Sequence, residues 1–407
     1  MTGVPIDRRD AVHMLAWLGA GLTASAMPGR SWARATDDMS RDAAKLLFLE
    51  GDAQIRAFRN MDRLFATRPI RRGGVTASLP RAPTEPELVF SHDGRDWTLA
   101  QFMAFNRVAS LVAVHKGRIV LERYALGNDA ATRWTSFSMA KSVTSLLVGA
   151  AIADGHIGAV TDPVVRYLPA LRGTAFDGTI IRDLLRMSSG IRWSENYLDP
   201  ASDVNRLLGL SAARDRKGQF FAHLASLPRA YPPGTVHQYK TGESCMLGEV
   251  VAAAIGGPLS PYLSERIWQP MGMEADAYWV CNAEGDTEWG GGCISATARD
   301  VARLGLFCLN DGIAAGRRIL PAGWMAESTQ PSAPHKANGG VSDYGYQWWI
   351  QRTPASYRAE GVFGQLLHID PAADLLLVLQ SAWPRPSEAP RDALNAAFVG
   401  ALAKVMA

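Results

Sequence analysis

Cysteine is scarce. The chain has four in 407 residues, Cys245, Cys281, Cys293 and Cys308. None belongs to a C-x-x-C pair, none stands beside a histidine cluster, and no H-E-x-x-H occurs, so no metal or other cofactor is expected. Cys281 and Cys293 flank a polar, glycine-rich segment. They could pair in an oxidising compartment, and free buried thiols are the equal alternative. Charge of one sign is also missing. The formal net charge is +3 and no block of five like charges appears, which removes support for nucleic-acid binding. No internal repeat or long low-complexity tract is evident. At 47% hydrophobic and 20% charged, the chain has ample material for a sizeable core or for two domains.

The uncharged stretch Ala11–Met27 is short for a membrane span. It follows Arg8-Arg9 and precedes the small residues of Ala33-Arg34-Ala35, so residues 1–35 read as an export signal of twin-arginine type. Exported, periplasmic protein is the expectation, and cytoplasmic protein if that reading fails. Losing four arginines and two aspartates with the signal would bring the net charge from +3 to +1.

Several elements follow from pattern. A helical run is expected near 42–64, then a Gly- and Pro-rich connection. Leu111–Val114 and Ile119–Tyr124 read as a hairpin turning through His115-Lys-Gly-Arg118, with Gly117 at positive φ. Ser138–Ala153 is apolar almost all round, the signature of a buried helix. Short helical patterns cover 181–187, 242–255 and 298–309. Gly345–Ile350, Gly364–Ile369 and Leu375–Gln380 read as three neighbouring antiparallel strands, and Ala389–Met406 as a closing helix. The order gives an α+β fold: an antiparallel sheet built from residues 36–135 and 290–407, flanked by helices, with a mostly helical insert over 136–289.

The insert opens with Ser136-Phe-Ser-Met-Ala-Lys-Ser142. On a helix, Ser138 and Lys141 share a face. The helix N-terminus favours an alkoxide, and both its field and burial favour a neutral lysine, so the pair can act as nucleophile and base. The plain alternative is that Ser136 or Ser138 caps the helix and Lys141 faces solvent. Other patterns in chain order are Ser194-Glu-Asn-Tyr-Leu-Asp-Pro-Ala-Ser-Asp-Val204, His237-Gln-Tyr-Lys-Thr241, Gly290-Gly-Gly-Cys-Ile-Ser-Ala-Thr-Ala-Arg-Asp300, Gln347-Trp-Trp349, Gly361-Val-Phe-Gly-Gln365 and Ser381-Ala-Trp-Pro384. Gly290–Gly292 lacks the lysine and hydroxyl residue of a phosphate loop and reads as tight backbone packing. On a strand, only one of Trp348 and Trp349 can face a cleft.

Taken together, from about residue 105 to 400, these motifs resemble the serine β-lactamase-fold hydrolases: class C β-lactamases, D-alanyl-D-alanine carboxypeptidases and esterases. Within that group the likeness is greatest to the 6-aminohexanoate-dimer hydrolases. The resemblance implies a β-lactamase/transpeptidase-like fold. It implies Ser138 as acylated nucleophile, Lys141 as adjacent base and Tyr239 as proton relay. Backbone N–H groups of Ser138 and of Gly364 or Gln365 would form the oxyanion hole, and Tyr197 would lie over the cleft. Thr241, Phe363 and Trp348 complete the implied substrate-binding set. Two positions depart from the pattern: Thr241 stands where β-lactamases carry Asn or Ser, and Phe363 where the dimer hydrolases carry histidine. The implied activity is hydrolysis of a small ester or linear amide through an acyl-enzyme. A carboxypeptidase or weak β-lactamase, or a non-catalytic binding protein, remain as alternatives. A homodimer is implied by resemblance only.

Overall fold

The computed structural model describes residues 42–407; residues 1–35, expected to be an export signal, lie outside the described residues. The central feature is a six-stranded antiparallel sheet. Its strands are β1 (Val108–His115), β2 (Arg118–Tyr124), β3 (Trp349–Arg352), β4 (Ala355–Gly361), β5 (Gln365–Asp370) and β6 (Leu375–Ser381), in the order β3-β4-β5-β6-β1-β2. The N- and C-terminal parts of the chain meet where β6 pairs with β1, for example Val378 opposite Val112.

Strand alternation divides the apolar residues between two cores. Leu375, Leu377 and Leu379 face the outer core, with Phe398 of the closing helix Ala389–Met406 and Phe102 of the helix Leu99–Phe105. The two phenyl rings stack at 4.2 Å. Leu376 and Val378 face the larger, inner core shared with the helices. In the β1–β2 hairpin both Lys116 (φ 48°) and Gly117 (φ 70°) take left-handed conformations, the pair of positive φ angles that matches the twist of a two-residue hairpin loop.

Three strands were expected in the C-terminal meander and four are present. β4 lies between the segment near Trp349 and β5, so those two are not neighbours. Its sequence, Ala-Ser-Tyr-Arg-Ala-Glu-Gly, hides the strand because part of one face lines an open groove and carries Ser356, Arg358 and Glu360. Gly345–Trp348 precede β3 and are not strand.

The helix α1 (Ala140–Ala153) is buried along nearly its whole length. A 3-10 turn, Phe137–Met139, leads into it. Neither Ser136 nor Ser138 caps these elements with its side chain, so the capping alternative does not apply. α2 (Thr241–Ile255) packs beside α1. A second, four-stranded antiparallel sheet pairs Trp134–Thr135 with Ile294–Ala296. That pairing brings Gly290–Gly292 against α1 and α2. Among the described residues no single helix is long and apolar enough to cross a membrane.

The four cysteines are free and buried, so Cys281 and Cys293 do not pair. Burial pushes the thiols of Cys245, Cys281 and Cys293 up to about 12 and raises Cys308 as well. We expect all four to resist a thiol reagent in native protein and to react in denaturant. Four thiols titrating only after unfolding would bear this out. Gly290 is packed as its sequence suggested: a Cβ there would lie 2.5 Å from the Ser244 carbonyl oxygen and 2.9 Å from the Gly248 Cα. Since backbone cannot swing aside, Gly290→Ala should destabilise the protein by about 1–3 kcal/mol, read as a lowered urea midpoint.

Candidate active site

Lys141 is 1% exposed, and its amine sits at the centre of the site. Nζ lies 2.8 Å from Ser138 Oγ, 3.0 Å from Thr241 Oγ1 and 2.7 Å from the Gly291 carbonyl oxygen. Donor accounting fixes the roles. The Gly291 carbonyl can only accept. The Thr241 hydroxyl gives its own hydrogen to the Glu195 carboxylate, so toward Lys141 it too must accept. Two amine hydrogens are thereby committed. In neutral lysine the remaining lone pair is free to face Ser138 Oγ and receive its proton. Burial lowers the Lys141 pKa toward that neutral form, and the charge of Glu195 opposes the shift.

Each partner is placed by a different element. The 3-10 turn sets Ser138 and the first turn of α1 sets Lys141. Phe137, just before Ser138, is held at φ 43°, a conformation uncommon outside glycine. Its ring is gripped by Phe58 at 4.8 Å and Phe363 at 5.4 Å. Thr241 opens α2. The buried pair Lys240–Glu243, Nζ to Oε1 2.6 Å, fastens that helix start, and Ser189 Oγ donates to the same carboxylate at 2.7 Å.

Tyr239 stands at the mouth of the site, with Lys141 Nζ 5.1 Å from its ring centroid and the Trp349 indole stacked on it at 5.4 Å. Burial and the charge of Glu195 raise its pKa well above the ordinary phenol value. A hydroxyl in that state holds its proton and donates it.

Glu195 was not singled out in the sequence, yet it is the polar hub of the site. Its carboxylate accepts from Thr241 N at 2.8 Å, Tyr197 Oη at 2.7 Å, and the Thr241 hydroxyl and Trp193 Nε1. Asn205 Nδ2 secures the loop that carries it by donating to the carbonyls of Tyr197 at 3.1 Å and Asp199 at 2.9 Å. Glu195 lies inside the Ser194–Val204 pattern; the one available signal was a carboxylate two residues before Tyr197.

Ser138, Glu195, Tyr197, Tyr239, Gly364 and Gln365 line one groove of about 720 Å3, which continues between β4 and the closing helix. Two expected substrate contacts, Trp348 and Phe363, are buried away from it. Trp348 is 1% exposed and packs edge-to-face on Tyr357 at 5.2 Å; Trp349, the first residue of β3, lines the groove instead. Phe363 is fully buried, because its φ of 64° turns the ring inward onto Phe58 and Phe137. Gln365 reaches the groove, but its side chain is 2% exposed and braces the loop: Oε1 accepts from Trp134 Nε1 and Ser381 N, both at 3.1 Å, and Nε2 donates to the Ser381 carbonyl at 2.8 Å. Gly364 (φ 85°) has no room for a Cβ against the Trp383 indole. Thr241 contacts the lysine, and Tyr197 borders the groove through its ring while its hydroxyl is held by Glu195.

The Beta-lactamase family profile matches residues 96–401. The chain belongs to the Beta-lactamase family. A 6-aminohexanoate-dimer hydrolase of Paenarthrobacter ureafaciens is 29% identical over 289 residues, covering 68% of this chain and 73% of that protein. A β-lactamase of Pseudomonas fluorescens is 24% identical over 172 residues, 40% of this chain and 44% of that one. Among solved structures, one from Bacillus anthracis, named provisionally as a 6-aminohexanoate-dimer hydrolase, superposes with TM-score 0.78 at 24% identity, covering 89% of this chain and 97% of its own. In fold and family the chain is a serine-hydrolase-type enzyme of α+β architecture. Among the described residues, no group of three His, Cys, Asp or Glu side chains is disposed to hold a metal.

Because Glu195 favours charged Lys141, removing its charge should let the lysine pKa fall further. We expect Glu195→Gln to move the acid limb of Ser138 labelling by a fluorophosphonate to lower pH. A limb that stays in place would show that Lys141 does not feel this carboxylate.

Proposed function

We propose that this protein hydrolyses small esters or linear amides through an acyl-enzyme formed on Ser138. The observation that carries the reading is the Lys141 amine, 2.8 Å from Ser138 Oγ with its other two contacts already fixed as acceptors. Lys141 takes the Ser138 proton as Oγ attacks the substrate carbonyl. The bond from Oγ to the carbonyl carbon forms as the carbonyl π pair moves onto oxygen. Backbone N–H groups at Ser138 and on the Gly364–Gln365 turn would receive that charge. As the intermediate collapses, Tyr239 gives its proton to the departing alcohol or amine and is reprotonated through Lys141. Water then attacks the acyl-enzyme with the same groups working in reverse.

The named relatives cleave a linear amide dimer or a β-lactam. For this chain a β-lactam is the less favoured substrate. The Thr241 hydroxyl is already bound on both sides, Phe363 is buried, and Arg358 on the flanking strand is paired with Glu360. Ester or linear-amide cleavage needs none of these groups free.

The test is a panel containing a short aryl ester, a linear ω-amino amide dimer, a D-alanyl-D-alanine peptide and a cephalosporin. Ser138→Ala should lower kcat by roughly 10³-fold or more, and Lys141→Ala by about 10²–10⁴-fold, with KM little changed. Wild-type turnover that persists in Ser138→Ala would defeat the proposal.

A further inference from the structure

Ser138 stands where two unlike spaces meet. On one side is the wide groove. On the other is a slot of about 30 Å3 walled by Leu46, Leu47, Val204, Leu208, Trp289 and Val362, and closed by the Gly291–Gly292 backbone. No charged residue lines the slot. The two hydroxyl side chains beside Ser138, Thr241 and Tyr197, are both bound to Glu195. Nothing in the slot is left to solvate an ammonium or a carboxylate, and an unpaired charge placed there would carry its full desolvation cost.

Direction follows from Tyr239. The group that protonates the leaving atom lines the groove, with Trp349, and does not line the slot. A leaving group must therefore extend into the groove, and the acyl group must turn the other way. The slot is small beside the groove, about 30 Å3 against about 720 Å3, so the shorter group of the substrate suits the slot and the bulkier one the groove.

We propose that this slot is the acyl pocket, and that it selects short, uncharged acyl groups, acetyl or propionyl, while the groove takes larger leaving groups. The inference rests on the Ser138–Lys141–Tyr239 reading above. It separates this chain from an enzyme that must hold an acyl group with a terminal ammonium.

The experiment measures kcat/KM for 4-nitrophenyl acetate, propionate, butyrate, hexanoate and 6-aminohexanoate. It uses wild-type protein and the variants Leu208→Ala and Leu208→Phe. In wild type the value should peak at acetate or propionate and fall about tenfold or more by hexanoate. The aminohexanoate should do no better than hexanoate. Leu208→Ala should move the peak to butyrate or hexanoate, and Leu208→Phe should depress propionate relative to acetate. A wild-type profile that is flat or rises with chain length would put the acyl group in the groove and overturn the inference, as would a profile unmoved by both substitutions. If turnover is slow, the mass of the acyl adduct on Ser138 gives the same ranking. Absence of both adduct and fluorophosphonate labelling at Ser138 would instead sink the hydrolase reading itself.

Discussion

A single buried amine organises this molecule. Lys141 is desolvated almost completely, and a charged lysine there would be costly, so its surroundings must either pair it or keep it neutral. Burial pushes its pKa down toward the neutral form. Its contacts to Gly291 and Thr241 use two hydrogens, and Ser138 Oγ lies within hydrogen-bond distance on the remaining side. Glu195 sets the limit of that arrangement, since its charge pulls the lysine back toward protonation while its oxygens orient Thr241. Ser138, Thr241, Tyr239 and the groove are arranged around this one amine.

Supporting it takes four separate parts of the chain. The pairing of Trp134–Thr135 with Ile294–Ala296 delivers the Gly291 carbonyl, and glycine at 290 and 291 lets the backbone approach α2 closely. The rings of Phe58, Phe137 and Phe363 hold the turn at Ser138 in an otherwise unfavourable conformation. The Gln365 amide ties the β4–β5 turn to Trp134 and to β6. The six-stranded sheet, packed on both faces, is the rigid body against which all of this is fixed.

Local patterns were legible where one physical rule dominated. The hairpin was marked by β-branched strands around Lys116-Gly117. The closing helix appears over the residues its pattern indicated, and α1 was marked by apolar residues on every side. β4 was not legible, because a strand that lines a groove breaks the alternation that identifies strands. Trp348 and Trp349 show the same limit: alternation said that at most one of them faces the cleft, and only the packing of Trp348 on Tyr357 and of Trp349 on Tyr239 decided which.

The sequence by itself determined the fold class, the order of the motifs and the chemical types at Ser138, Lys141 and Tyr239, since these depend on residue identity and short spacing. The tertiary structure decided what those residues do to each other. The burial that lowers the Lys141 pKa, the inward turn of Phe363 and the hydrogen bonds that gather on Glu195 depend on contacts between residues far apart in the chain. Several of those contacts, Lys141 to Thr241 and to Gly291 among them, span a hundred residues or more. Burial and hydrogen-bond geometry of that kind leave no periodic trace in the sequence.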